Sequence, residues 1–246
     1  MSAPLRLVFH PTGELLEASR DCEADIFLHR YGNTRAQLAE EYGPYEQNSV
    51  FVALADDADR VLGTVRFLVP EAAGLKTLDD MAQPPWSADA PRSAAAAGID
   101  PADSWDCATM GLRADVPGSK VRLSLALYHG LVLALRVNSV GTVLAILDER
   151  ARRLLSSVGL ILNPIPGTAA VPYLGSSAST PVYAHVAATL DHQRRIAPEA
   201  HRLVTLGIGL DGIVVPDPQT FRWPSRQPVT VPGDSRRVSA AVGHLG

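Results

Sequence analysis

The chain has 246 residues, room for one large domain or two small ones. With 46% hydrophobic and 20% charged residues it is not a wholly disordered chain, and a net charge of −4 argues against a dedicated nucleic-acid binder. Two cysteines, Cys22 and Cys107, cannot build a disulfide framework and cannot alone hold zinc, and the seven histidines show no metal spacing, so no metal is expected. No apolar run reaches the ~18 residues of a membrane span, and Met1–Thr12 lacks the regions of a signal peptide; the expected location is the cytoplasm.

Leu5–Phe9 alternates as a strand, stopped by Pro11 and Gly13. Asp21–Tyr42 has helical spacing (Ala24, Phe27, Leu28, Tyr31), broken at Gly32-Asn33 and resumed by Ala36, Leu38, Ala39 and Tyr42. Val50–Leu54 and Val61–Val69 form a hairpin around the acidic turn Asp56–Arg60. Residues 70–104 hold five prolines and one short apolar hint (Leu75, Leu78, Met81), which predicts a surface loop or lid. Trp105–Leu112 predicts a strand, Val121–Arg136 an apolar helix and Val140–Leu147 a strand buried on both faces. Asp148 is an N-cap for a short helix, Arg150–Val158, closed by Gly159. Leu160–Ile165, Val171–Leu174, Val182–Thr189 and Leu203–Leu210 are expected strands. The reading gives one domain over residues 1–215 and a Pro/Arg-rich arm over 216–246, suited to contact a second copy in a homodimer. Mixed pairing around a central strand–helix–strand unit predicts an α/β (α+β) fold on one sheet of about seven strands flanked by helices.

The segment from Trp105 to Leu147 resembles the acyl-donor site of the GNAT acyltransferase superfamily. Ala151, Leu154, Gly159 and Leu160 follow the spacing of its Ala-x-x-Leu-Tyr-x-x-x-Gly-Phe motif, with Leu155 where a tyrosine is usual. Glu41-Tyr42-Gly43-Pro44-Tyr45-Glu46, Gly63–Pro70 and Trp105-Asp106-Cys107-Ala108-Thr109 resemble segments of the branch holding acyl-homoserine-lactone synthases and N-acyl amino acid synthases. Ala108 and Thr109 stand where that branch has Ser and Arg.

The resemblance implies a sheet splayed at its middle strands. Backbone N–H groups of Met110, Gly111 and Leu112 would grip a thioester and its pantetheine. Gly118, Ser119, Lys120 and Arg122 would bind phosphate at a helix N-terminus, where orphan N–H groups and the dipole favour anions. No tightly held cofactor is implied; acyl-CoA or acyl-phosphopantetheine is a co-substrate, and an acyl or peptidyl carrier protein is an alternative donor that Arg150, Arg152, Arg153, Arg194 and Arg195 could dock. Asp106 and Glu46 are the candidates to orient or deprotonate an acceptor amine, and Tyr173 to replace the acid missing at Leu155.

Arg66, on an otherwise apolar strand, must pair with an acid or a substrate carboxylate; with Tyr31, Trp105 and Thr109 it completes the expected acceptor site. Each has a structural alternative: Asp106 paired to Arg66, Glu46 a solvated loop acid, Tyr173 ordinary packing, Cys107 and His129 core residues. The expected activity is N-acyl transfer from a thioester to an amino acid or other small amine. Alternatives are S-adenosylmethionine acylation, an aminoacyl-tRNA donor, and a non-catalytic ligand- or protein-binding domain.

Overall fold

The computed structural model describes residues 5–223, apart from 72 and 117. Pro117 and the arm beyond residue 223 lie outside the described residues. In chain order the elements are β1 (Leu5–Phe9), α1 (Gly13–Tyr31), α2 (Arg35–Tyr42), β2 (Ser49–Ala55), β3 (Val61–Leu68), α3 (Lys76–Met81), α4 (Ala90–Ala97), β4 (Ser104–Leu112), α5 (Lys120–Val137), β5 (Thr142–Asp148), α6 (Glu149–Ser157), β6 (Asn163–Pro164), β7 (Val171–Tyr173), β8 (Ser176–His185), α7 (Val186–Ile196), a short helical stretch over 198–205, and β9 (Ile213–Val214). One sheet runs β6-β8-β5-β4-β3-β2-β1-β9, with β7 on β8. Neighbours from β1 to β4 are antiparallel, β4 and β5 are parallel, and α5 is the crossover that joins them.

Strand alternation sorts the core onto the two faces. Leu7, Val52, Leu54, Leu62, Val65, Phe67 and Trp105 pack with Leu123, Ala126 and Leu127 of α5. Ala53 and Val61 point the other way, against Cys22 of α1. Both β2 and β3 are buried along their whole length, and the polar side chains among them are partnered inside: Thr64 Oγ1 donates to Val52 O, and Arg66 pairs with Glu23 and Ser49.

Several elements differ from the sequence reading. Helix α1 starts at Gly13, eight residues early. Gly32 ends it in the left-handed conformation (φ 77°), and a capping box of Thr34 with Gln37 starts α2. Residues 70–104 are no bare loop. Asp89 caps α4, Pro91 sits in its first turn and Gly98 closes it at φ 66°. Leu75, Met81, Ala94, Ala97 and Ile99 build a second apolar cluster on Leu144 and Ile165.

The strand expected over Val182–Thr189 is displaced: β8 ends at His185 and α7 follows at once. Leu160–Ile165 keeps only the two-residue β6. Leu203–Leu210 is a wide helical turn and a loop, because its packing partner is α5 and not a strand edge: Val204 O bonds His129 Nδ1 at 2.9 Å. Residues 216–223, assigned by sequence to the arm, lie on the protein's own core, with Phe221 buried and stacked on Phe9.

Candidate active site

Pairing between β4 and β5 covers only Ser104–Thr142, Trp105–Val143 and Asp106–Leu144. Beyond Asp106 the two strands part. A bulge at Ala108 shifts the β3–β4 register between Arg66 and Phe67, and the Tyr42 hydroxyl bonds the Ala108 carbonyl at 3.4 Å.

The ladder on the β3 side fixes where the parted amides point. Arg113 N–H bonds Leu62 O, and the register continues through Gly63–Leu112, Thr64–Gly111, Val65–Met110 and Arg66–Thr109. In an antiparallel pair the bonds alternate, so Arg113, Gly111 and Thr109 turn their amides to β3, and Leu112 and Met110 turn theirs to the β5 side. There the β5 ladder has already ended. Of the three amides expected to face the opening, Met110 and Leu112 do so, and Gly111 is bonded inside the sheet. A side chain on Gly111 would also meet Ile26 Cγ2 at 2.8 Å.

The parting strands bound a cleft of about 550 Å³. Its walls include Met110, Leu112, Leu131, Leu135, Ala145 and Leu155, and the exposed side chains His29, Arg30, Lys120 and Arg150 form its rim beside Arg113, which is paired with Asp25. From Lys120 to Leu135 the cleft follows α5 for about 22 Å, at 1.5 Å per residue. Of the expected phosphate loop, Lys120 lines the cleft. Gly118 supplies the left-handed turn (φ 78°), and Ser119 caps α5 by accepting the Arg122 N–H at 3.4 Å. Arg122 leaves the cleft and faces the loop at Gly212.

A second cavity of about 70 Å³ opens beside the first, lined by Tyr42, Lys76, Thr77, Asp80, Asp106 and Tyr173 among others. Phe27, Tyr31, Ala108, Ile146 and Asp148 line both, so the two spaces meet there.

Asp106 is 1% exposed and accepts from the Thr77 N–H at 2.5 Å and Thr77 Oγ1 at 2.9 Å, at the start of α3. It does not pair with Arg66. Burial pushes its carboxyl up to about 7, against the opposing Thr77 bonds, with neighbouring Asp80 raising it further. Tyr31 donates to Asp148 at 2.5 Å, and burial together with that bond raises the phenol to about 12. Asp148 also caps α6 by accepting the Ala151 N–H at 2.5 Å.

Arg66 faces α1 and lines neither cavity. Its guanidinium is taken up by Glu23 (3.0 and 2.6 Å), Glu46 (3.3 Å) and Ser49 (3.1 Å), over the rings of Tyr42 and Phe51. Glu46 therefore sits with Arg66 and Arg20, away from both cavities. Trp105 is a core residue, edge-on to Phe67 at 5.4 Å between centroids. Thr109 borders the cleft with its hydroxyl bonded to Glu23. Tyr173 lines the smaller cavity, its hydroxyl tied to Asp80 (2.5 Å), Lys76 (3.0 Å) and Glu41 (3.2 Å). Burial and that carboxylate raise its pKa, and it does not reach the cleft where Leu155 stands.

Sequence reasoning missed Glu23, Lys76, Asp80 and Asp148 as site residues. Lys76, 5% exposed, pairs with Glu41 and Asp80 over the rings of Tyr42 and Tyr173. Its signal was present: it is one of two lysines in the chain and it opens the short segment whose Leu75, Leu78 and Met81 have helical spacing. Glu23 lies beside Cys22 on the buried face of α1, four residues before Phe27.

No family model and no curated protein matches the sequence. Solved structures do match. BjaI, a CoA-dependent acyl-homoserine lactone synthase solved with SAM and isopentyl-CoA, superposes with a TM-score of 0.58 at 17% identity, over 89% of this chain and 97% of that one. FeeM, an N-acyl amino acid synthase from uncultured soil microbes, gives 0.55 at 12% identity, over 77% and 94%. The chain has the GNAT-like fold. In that fold the splayed pair is β4–β5, as the resemblance implied, and the cleft and its acidic neighbour occupy the opening.

Proposed function

We propose that this GNAT-like protein is an acyltransferase that moves an acyl group from a thioester to the amine of a small metabolite. The observation that carries the reading is the continuity of two unlike spaces. A long apolar cleft with unpartnered amides and a cationic mouth meets an acidic cavity at Tyr31, Ala108, Ile146 and Asp148. The phosphate end of a CoA or phosphopantetheine donor suits the mouth, where Lys120 and the α5 N-terminus lie. The thioester carbonyl suits the amide of Met110, which stabilises the oxyanion without reorganising, and a pantetheine carbonyl suits that of Leu112, about 6.6 Å further along the strand.

The acceptor arrives as an ammonium ion. Asp106, held near neutrality, takes one proton and leaves the amine nucleophilic. Attack forms the C–N bond and gives a tetrahedral intermediate. Its collapse breaks the C–S bond, the second nitrogen proton goes to the departing sulfur, and Asp106 returns the first to solvent. The products are an amide, a thiol and one proton. Tyr31 lines both spaces, but its hydroxyl donates to Asp148, so with Leu155 lacking a hydroxyl the attacking nitrogen itself supplies the sulfur's proton. Carriage of the acyl group on CoA or on a carrier protein draws on the same pantetheine arm.

The test is thiol release from acyl-CoA and from acyl-carrier protein across a panel of amines, with amide formation followed by mass spectrometry. Amine-dependent thiol release that falls at least 100-fold in Asp106→Asn supports the reading. No amine-dependent release from either donor, with the protein folded, refutes it.

A further inference from the structure

The two spaces differ sharply in charge. Among the described residues the smaller cavity is lined by Asp80, Asp106 and Asp148 against one cation, Lys76. That cation is already matched twice, by Asp80 and by Glu41. The other two carboxylates have neutral partners: Thr77 holds Asp106, while Tyr31 and the Ala151 N–H hold Asp148. Arginine is absent from this lining; the nearby Arg66 is turned away and saturated by Glu23, Glu46 and Ser49.

The same cavity has four aromatic rings, Phe27, Tyr31, Tyr42 and Tyr173, and the Lys76 ammonium already lies 5.7 Å and 5.8 Å from the centroids of Tyr42 and Tyr173. Rings and carboxylates together form a surrounding for positive charge. They also disfavour a carboxylate, which would be desolvated beside Asp80 and Asp148, with Lys76 already matched and Arg30, which interacts with the Tyr31 hydroxyl, on the cleft side. An α-amino acid or other zwitterion is thereby disfavoured, contrary to the expectation from an Arg66-centred pocket.

We propose that the acceptor is a diamine-class amine, with a reacting nitrogen at Asp106, a second cationic nitrogen held by Asp148, and no carboxylate. This deepens the acyl-transfer reading and rests on it for the assignment of the smaller cavity to the acceptor. In the reaction the second nitrogen stays protonated throughout: one C–N bond forms, one C–S bond breaks, and the product is a mono-acylated diamine plus free thiol. Ala108, two residues beyond Asp106 on β4, and Asp148 on β5 both line the junction, so the reacting nitrogen takes the β4 wall, towards the thioester, and the second nitrogen the β5 wall.

The test uses the full chain without any thioester and three probes that differ at one end: butane-1,4-diamine, butylamine and 4-aminobutanoate, titrated calorimetrically at constant ionic strength. The diamine is expected to bind at least tenfold tighter than butylamine, and 4-aminobutanoate weakest. Asp148→Asn, which keeps an N-cap on α6, is expected to bring the diamine-to-butylamine ratio down towards one, with a melting curve confirming the fold. Equal binding of the three probes, tighter binding of 4-aminobutanoate, no binding of any, or an unchanged ratio in the variant overturns the proposal. Turnover is scored separately. Diamine binding with no thiol release from acyl-CoA or acyl-carrier protein overturns the acyl-transfer reading and leaves the cation site standing. Thiol release at the same kcat/KM with all three probes does the reverse.

Discussion

The amides of Met110 and Leu112 can be tested one at a time, because proline removes a single N–H. Met110→Pro deletes a donor that faces the cleft and leaves every β3–β4 ladder bond in place, since Thr109 and Gly111 make those. Met110 also packs its side chain against the main core, so Met110→Ala is the control for lost packing. Relative to that control, Met110→Pro adds the strain of fixing φ near −65°, about 1–2 kcal/mol, or some 2–8 °C in Tm for a chain of this size.

The loss in function is larger. One oxyanion donor is worth about 10²–10³ in kcat, or roughly 3–4 kcal/mol. Gly111→Pro is the opposite case. It breaks the bond to Thr64, leaves a buried carbonyl unpaired and drives atoms at Ile26, at a cost of at least about 3 kcal/mol in stability. Thermal melts with and without CoA thioester, followed by single-turnover thiol release, separate the three variants. The reasoning fails if Met110→Pro turns over like Met110→Ala, or if it melts as low as Gly111→Pro.

Further outcomes rest on the charged groups. Asp106 has a folded pKa of about 7, well above its unfolded value, so the folded chain binds more protons between about pH 4 and 7. Stability therefore falls as pH rises through that window, by roughly 4 kcal/mol in all. Asp106→Asn flattens this slope in urea titrations from pH 4.5 to 8, and kcat/KM of the unaltered protein rises with pH to a plateau above about 7; a steep slope persisting in the variant would show another group at work. Arg66→Met strands Glu23 in the core at about 3–5 kcal/mol, lowering Tm by roughly 10 °C, and adding Glu23→Leu restores most of it. A double variant no more stable than Arg66→Met would mean that the pair does more than neutralise itself. Lys120→Glu at the cleft mouth raises KM for acyl-CoA about tenfold at low salt and less at 0.5 M, and an effect independent of salt would place the phosphates elsewhere.

Local signals in the chain sufficed for what local physics determines. Gly32 and the Thr34–Gln37 box, Asp148 before α6, and the apolar runs of β2, β3 and α5 each follow from capping chemistry or side-chain periodicity. The limits of α4 were written in the same language, Asp89 before it, Pro91 in its first turn and Gly98 after it, but the prolines around it hid a helix of only eight residues. Short strands such as β6 and the stretch 203–210 could not be read locally, because a strand exists only where a neighbour offers an edge.

The site divides in the same way. The resemblance marked β4, and the apolar setting of Asp106 and Arg66 showed that each needed a partner. Which partner each found was settled by the bulge at Ala108 and by where α1 and α3 cross the sheet: Glu23 comes to Arg66 from 43 positions earlier, and Thr77 to Asp106 from 29. Register across β3 likewise decided that Met110 and Leu112, and not Gly111, face the opening. Hydrogen bonding alternates residue by residue, so a single inserted residue redirects every amide beyond it, and no count along one strand reveals where its neighbour placed the insertion.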